Sequence, residues 1–71
     1  MKVVVEAFWD DEAGVWVASS SEPIGLATEA GTIEELQRKL SVMIPELLEP
    51  GSDEAIEIEL VARSVQTVAA E

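Results

Sequence analysis

The sequence predicts an α+β fold of the order β-β-β-α-β, with a four-stranded, mainly antiparallel sheet in the strand order 3-2-1-4 and one helix packed on one face. Three observations point there. Three of four short segments alternate apolar side chains with a period of two, the pattern of a strand, and the remaining one, Ile24 to Ala30, is bounded by strand-breaking residues. One longer segment between the third and fourth carries apolar residues at three- and four-residue spacing, the pattern of an amphipathic helix. The chain has 71 residues, of which 48% are hydrophobic, enough for one core and one domain spanning residues 1–71.

Lys2 to Trp9 is the first strand, with Val3, Val5, Ala7 and Trp9 on one side and Lys2, Val4, Glu6 and Phe8 on the other. Asp10 to Gly14 is a turn, and Gly14 suits the positive φ that closes such hairpin loops. Val15 to Ser20 resumes as the second strand, antiparallel to the first, with Val15 and Val17 opposite in direction to Trp16 and Ala18. Ser21, Glu22 and Pro23 break it, since proline gives no amide to a ladder. Ile24 to Ala30 is a short third strand ended by Gly31.

Thr32 followed three positions later by Glu35 is a capping-box pattern and starts the helix. Ile33, Leu36, Leu40, Met43, Ile44 and Leu47 form its apolar stripe. Pro45 lacks the amide that would bond to Ser41, so a kink is expected there. Pro50 and Gly51 are the expected stop. Ala55 to Arg63 is the fourth strand, with Ile56, Ile58, Leu60 and Ala62 facing one way and Glu57, Glu59, Val61 and Arg63 the other. Ser64 to Glu71 either extends this strand or frays. A right-handed crossover through the helix then sets the fourth strand beside the first.

The helix covers one face of the sheet. The other is expected to carry Val4 and Phe8, with Trp16 a further candidate, among Lys2 and Glu6, more apolar surface than a small monomer leaves open. A homodimer is the expected cover, and the tail folding back is the alternative.

Fifteen Asp and Glu against four Lys and Arg give a net charge of −11. Such a chain repels nucleic-acid phosphates and anionic membranes, so no direct nucleic-acid or membrane partner is expected, and it attracts basic proteins. No apolar run approaches the roughly 20 residues that span a bilayer, and no secretory leader is evident, so a cytoplasmic protein is expected.

Histidine, cysteine and tyrosine are absent. Serines 19 to 21 therefore have no imidazole to activate them, and no thiolate metal site or disulfide can form. Glycines 14, 25, 31 and 51 lack the spacing of a phosphate-binding loop, so no cofactor is expected. Carboxylates holding divalent ions are the one catalytic route left, through Asp10, Asp11 and Glu12 with Glu29 or Glu57. Glu34 and Glu35 already have a role at the helix N-terminus, where carboxylates meet the positive end of the dipole.

Three segments carry a family resemblance: Ala7 to Ser19, Ile24 to Leu36, and Val42 to Glu49. A glycine turn at Gly14, a short strand entered at Gly25, and a Thr-x-Glu-Glu helix start over Thr32 to Glu35 occur in the order of the HicB-like antitoxins, which the chain resembles. The resemblance implies a partial ribonuclease H-like fold without that enzyme's working carboxylates. It also implies binding and masking of a small basic toxin ribonuclease, a task that suits an acidic domain. No C-terminal DNA-binding module is expected after the fourth strand. The expected function is thus non-catalytic protein binding, with Phe8, Trp16, Glu57 and Glu59 as interface candidates. A self-associating module with no toxin partner is one alternative, and a carboxylate-dependent, magnesium-requiring nuclease is another.

Overall fold

The computed structural model describes residues 2–20, 25–48 and 55–70. Its elements are β1 (Lys2–Asp10), β2 (Val15–Ser20), β3 (Leu26–Ala30), α1 (Ile33–Leu47) and β4 (Glu57–Arg63). The sheet order is β3-β2-β1-β4, as the alternation and the crossover rule predict. β1 pairs antiparallel with β2 and parallel with β4, and β2 pairs antiparallel with β3. The predicted breaks at Ser21 to Pro23 and at Pro50 and Gly51 lie outside the described residues, as does Ile24 at the expected start of the third strand.

The β1–β2 hairpin is closed by its own backbone and one carboxylate. Gly14 takes φ 68°, the left-handed region in which a side chain would be strained, and its N–H donates to the Asp10 carbonyl at 2.8 Å. The Asp10 carboxylate accepts from the Glu12 and Ala13 amides at 3.1 and 3.2 Å. This fixes the register that sets Trp9 opposite Trp16 and Phe8 opposite Val17.

The core lies between α1 and the inner face of the sheet. Val3, Val5 and Ala7 of β1, Ala18 of β2, Leu26 and Ala30 of β3, and Leu36, Leu40 and Ile44 of α1 form one buried cluster. Across the sheet the register aligns Ala62, Ala7, Ala18 and Thr28 in a row of small inward side chains. Small groups there leave volume for the larger helix side chains, since close packing requires large to meet small. Ser20 is the buried polar member, and its hydroxyl donates to the Val4 carbonyl at 2.8 Å.

Thr32 caps the helix as expected, in extended conformation, with its Oγ accepting from the Glu35 amide at 3.1 Å. The helix runs through Pro45 as one element, so the proline does not divide it. It ends at Leu47, ahead of the predicted stop at Pro50. Leu47 corrects the predicted stripe: it is 49% exposed, and Leu48 packs against the core instead. Leu48 has left the helix with an extended ψ of 157°, while its N–H still reaches the Ile44 carbonyl at 3.1 Å. That step redirects the chain so that Leu48 continues the line of Leu36, Leu40 and Ile44.

Beyond Arg63 the segment 64–70 forms no regular element and is exposed throughout. No helix among the described residues is long and apolar enough to cross a membrane.

Leu40→Ala removes a side chain that is 1% exposed and should cost about 2–5 kcal/mol in urea unfolding. Leu47→Ala should cost less than about 1 kcal/mol. Equal losses at the two positions would reverse the assignment of the stripe. In the same assay Val5→Ala should cost more than about 2 kcal/mol, whereas Phe8→Ala, at a site 50% exposed, should stay within roughly 1 kcal/mol.

Candidate interaction surface

Even-numbered residues of β1 point away from the helix, and the strand registers assemble their neighbours. One row crosses the sheet through Glu29, Val17, Phe8 and Arg63. The next runs through Ala27, Ser19, Glu6 and Val61, and beyond it Val4 pairs with Glu59 and Lys2 with Glu57. Val4, Phe8 and Val17 are exposed although they sit in or beside the central strand, and Val15 and Val61 are half-buried. The face therefore mixes exposed apolar groups on the middle strands with charge, from Glu6 between Val4 and Phe8 on β1 and from Glu29, Glu57, Glu59 and Arg63 on the edge strands.

Four glutamates, Glu6, Glu29, Glu57 and Glu59, share this face with two cations, Lys2 and Arg63, and the Asp10 carboxylate at its end is taken up by the hairpin turn. Lys2 is already committed: its Nζ lies 3.0 Å from Glu59 Oε1 and ties the start of β1 to β4. The hydrogen bond to Glu59, then the charge of that carboxylate, holds the Lys2 ammonium above its ordinary range, with desolvation opposing. A raised lysine pKa means the pair is intact through neutral pH and is lost only as pH climbs through that raised value. Both side chains are about half exposed, so the tie contributes little to stability. Subtracting this pair leaves Glu6, Glu29 and Glu57 against Arg63.

Of the sequence-predicted interface residues, Phe8, Glu57 and Glu59 lie on this open face. Trp16 does not, which corrects its expected place there. It points to the helix side, half-buried, and packs against the core cluster. Its ring meets that of Trp9 edge to face, with centroids 5.4 Å apart and planes at 61°. The two tryptophans line a wide hollow with Gly31, Thr32, Ile33, Glu34 and Ser64 at the start of α1. Val17 is the member of the open face that sequence reasoning left out. Its signal was present in the hairpin, since a turn over residues 11–14 places it opposite Phe8.

The carboxylates considered for metal binding are dispersed. Asp10 is engaged by two turn amides, and Asp11 accepts from Trp9 Nε1 at 3.0 Å. Glu57 pairs with Lys2 at the opposite end of β1 from Asp10. Among the described residues, no group of three or more carboxylates is placed to hold an ion.

The open face presents the aromatic Phe8 and the aliphatic Val4 and Val17 together with the carboxylates of Glu6, Glu29, Glu57 and Glu59. Comparison with known proteins bears on the fold and the family. The hypothetical protein TTHA1013 from the extremely thermophilic bacterium Thermus thermophilus, known from its crystal structure, is similar at 48% identity with a TM-score of 0.67. The similarity covers 99% of this chain and 100% of that one. No curated protein matches the chain. The sequence model of a domain of unknown function, DUF1902, matches residues 2–69, and the chain belongs to that family.

Proposed function

We propose that this protein is a non-catalytic, HicB-like interaction domain whose open sheet face binds a small basic protein, by its chemistry a toxin ribonuclease of the kind HicB-like antitoxins mask. The observation that carries the reading is the apolar centre of that face, where Phe8, Val17 and Val4 are exposed amid carboxylates. An aromatic anchor surrounded by charge is the usual composition of a contact that carries binding energy at its middle and selectivity at its rim. The net charge of −11 favours a cationic partner and speeds the encounter with it. The HicB resemblance over Ala7 to Glu49 supports the same class of partner. The lack of histidine, cysteine and tyrosine supports a role without catalysis.

Affinity capture with tagged protein from its host lysate, at low and at high salt, tests the reading. A small basic protein should be recovered at low salt and depleted at high salt. Phe8→Ala should weaken its binding by about tenfold or more, corresponding to a loss of at least roughly 1.4 kcal/mol. Trp16→Phe, on the helix side, should leave recovery unchanged. A basic protein retained equally by wild type and Phe8→Ala would remove the open face from the proposal. Recovery insensitive to salt would remove the role of the charge.

A further inference from the structure

The two edges of the sheet are treated differently. At β3, the Lys39 ammonium reaches across from α1 and donates to the Glu29 carbonyl at 2.7 Å, occupying an acceptor on that edge strand. A lysine held against an edge is one of the devices that discourage further strands from adding. β4 is the other edge, and among the described residues nothing pairs with its outer side from Glu57 to Arg63. Its inward Ile58 and Leu60 are only half-buried, whereas their neighbours Val3 and Val5 on β1 are fully buried.

Directly after β4 comes the exposed segment 64–70, Ser-Val-Gln-Thr-Val-Ala-Ala. It holds no charge, proline or glycine in a chain that is 27% charged, and Val65 and Val68 are 95% and 77% exposed. Uncharged segments of six or seven residues rich in β-branched side chains readily add to a strand edge. Within its own chain only Trp9 and Asp10 of β1 extend beyond the last β1–β4 pair, Phe8 with Arg63, so from about residue 66 onward the segment runs past the end of the sheet. Ser64 still lines the hollow beside Trp9, so the alternation of β4 continues into it.

We infer that the segment 64–70 is an arm that pairs antiparallel with the free β4 edge of a second copy of this chain, joining two sheets into one across a two-fold axis. Length and parity select the register. β4 has seven residues and the arm has seven, so pairing centred on Ser64 lays residues 65–70 of each arm along Ile58 to Arg63 of the other copy, six of the seven residues of β4. A two-fold axis perpendicular to a continuous sheet keeps both helices on one side, which requires paired residue numbers to sum to an even value. Centring on Arg63 would set two guanidinium groups opposite each other. Centring on Ser64 sets Leu60 opposite the second copy's Val68 and Ile58 opposite its Ala70, covering the two side chains of β4 that the helix leaves half open. On the outer side Val61 meets the second copy's Thr67. The paired stretch 58–70 contains Glu59 and Arg63 and no other charge, so two chains of net charge −11 meet along a neutral seam. This contact uses neither Phe8 nor Val17, and the open face stays available on both copies.

The chain lacks cysteine, which makes single-cysteine variants clean reporters. Sedimentation of the full chain should show a dimer at micromolar concentration. Removing residues 64–71, or making Val68→Glu, should shift it to monomer, the latter without touching the core. Under mild oxidation Ser64→Cys should form an interchain disulfide well before Gln66→Cys, because only position 64 faces its own counterpart in this register. A monomeric full chain, a dimer that survives both changes, or equal cross-linking at 64 and 66 would each overturn the inference.

Discussion

One amphipathic helix must cover one face of four strands, and the rest of the molecule is arranged around that shortage. The helix side chains Leu36, Leu40 and Ile44 sit against a sheet whose inward row is Ala62, Ala7, Ala18 and Thr28. Small groups in the sheet and large ones on the helix let a single 15-residue element pack closely against it. Where the helix does not reach, burial declines: Ile58 and Leu60 on the edge strand are half open, and Ala62 is exposed. Stability in so short a chain rests on this one layer of contacts, since no disulfide reinforces it.

The second face has no helix to hide it, and its composition reflects that. An ordinary solvent-facing sheet would alternate toward polar residues at every strand. Here Val4, Phe8, Val15, Val17 and Val61 hold outward positions in the three strands β1, β2 and β4, with glutamates at Glu6 on β1 and at Glu29, Glu57 and Glu59 on the edge strands. Like charges on this face repel one another between copies of an acidic chain, and under the proposed function the same carboxylates would meet a cationic partner. The proposed function accounts for the acidity and the exposed phenylalanine together.

Much of this was legible in the residues. Alternation located three of the strands, with β2 correct to the residue, the flanking breaks located the short third one, and Thr32 with Glu35 marked the helix start. The crossover rule put β4 beside β1. What failed was local. Leu47 satisfies the helical period, yet the helix stops immediately after it, and periodicity carries no information about where the backbone turns away. Trp16 was set apart correctly from Val15 and Val17, but deciding which set faces the helix needs the hairpin register. That register is fixed by the Asp10 carboxylate and the Gly14 backbone. Phe8, Glu57 and Glu59 were found because they lie on strands with clean alternation. Val17 was passed over because a valine on a strand gives no signal apart from its register.

The parallel pairing of β1 with β4 has a consequence for how the chain reaches this structure. The β1–β2 hairpin and its extension to β3 involve near neighbours and can form as soon as those residues are available. β1, however, is the interior strand whose second partner is the last strand to be synthesised, and contacts between segments so far apart in sequence form slowly because a long loop must close first. On a ribosome, β1 therefore waits with Val3 and Val5 unsatisfied on one flank until β4 emerges. Completion of the fold is a late event set by the C-terminal third of the chain, and any copy released before β4 would expose an unpaired, valine-rich strand edge.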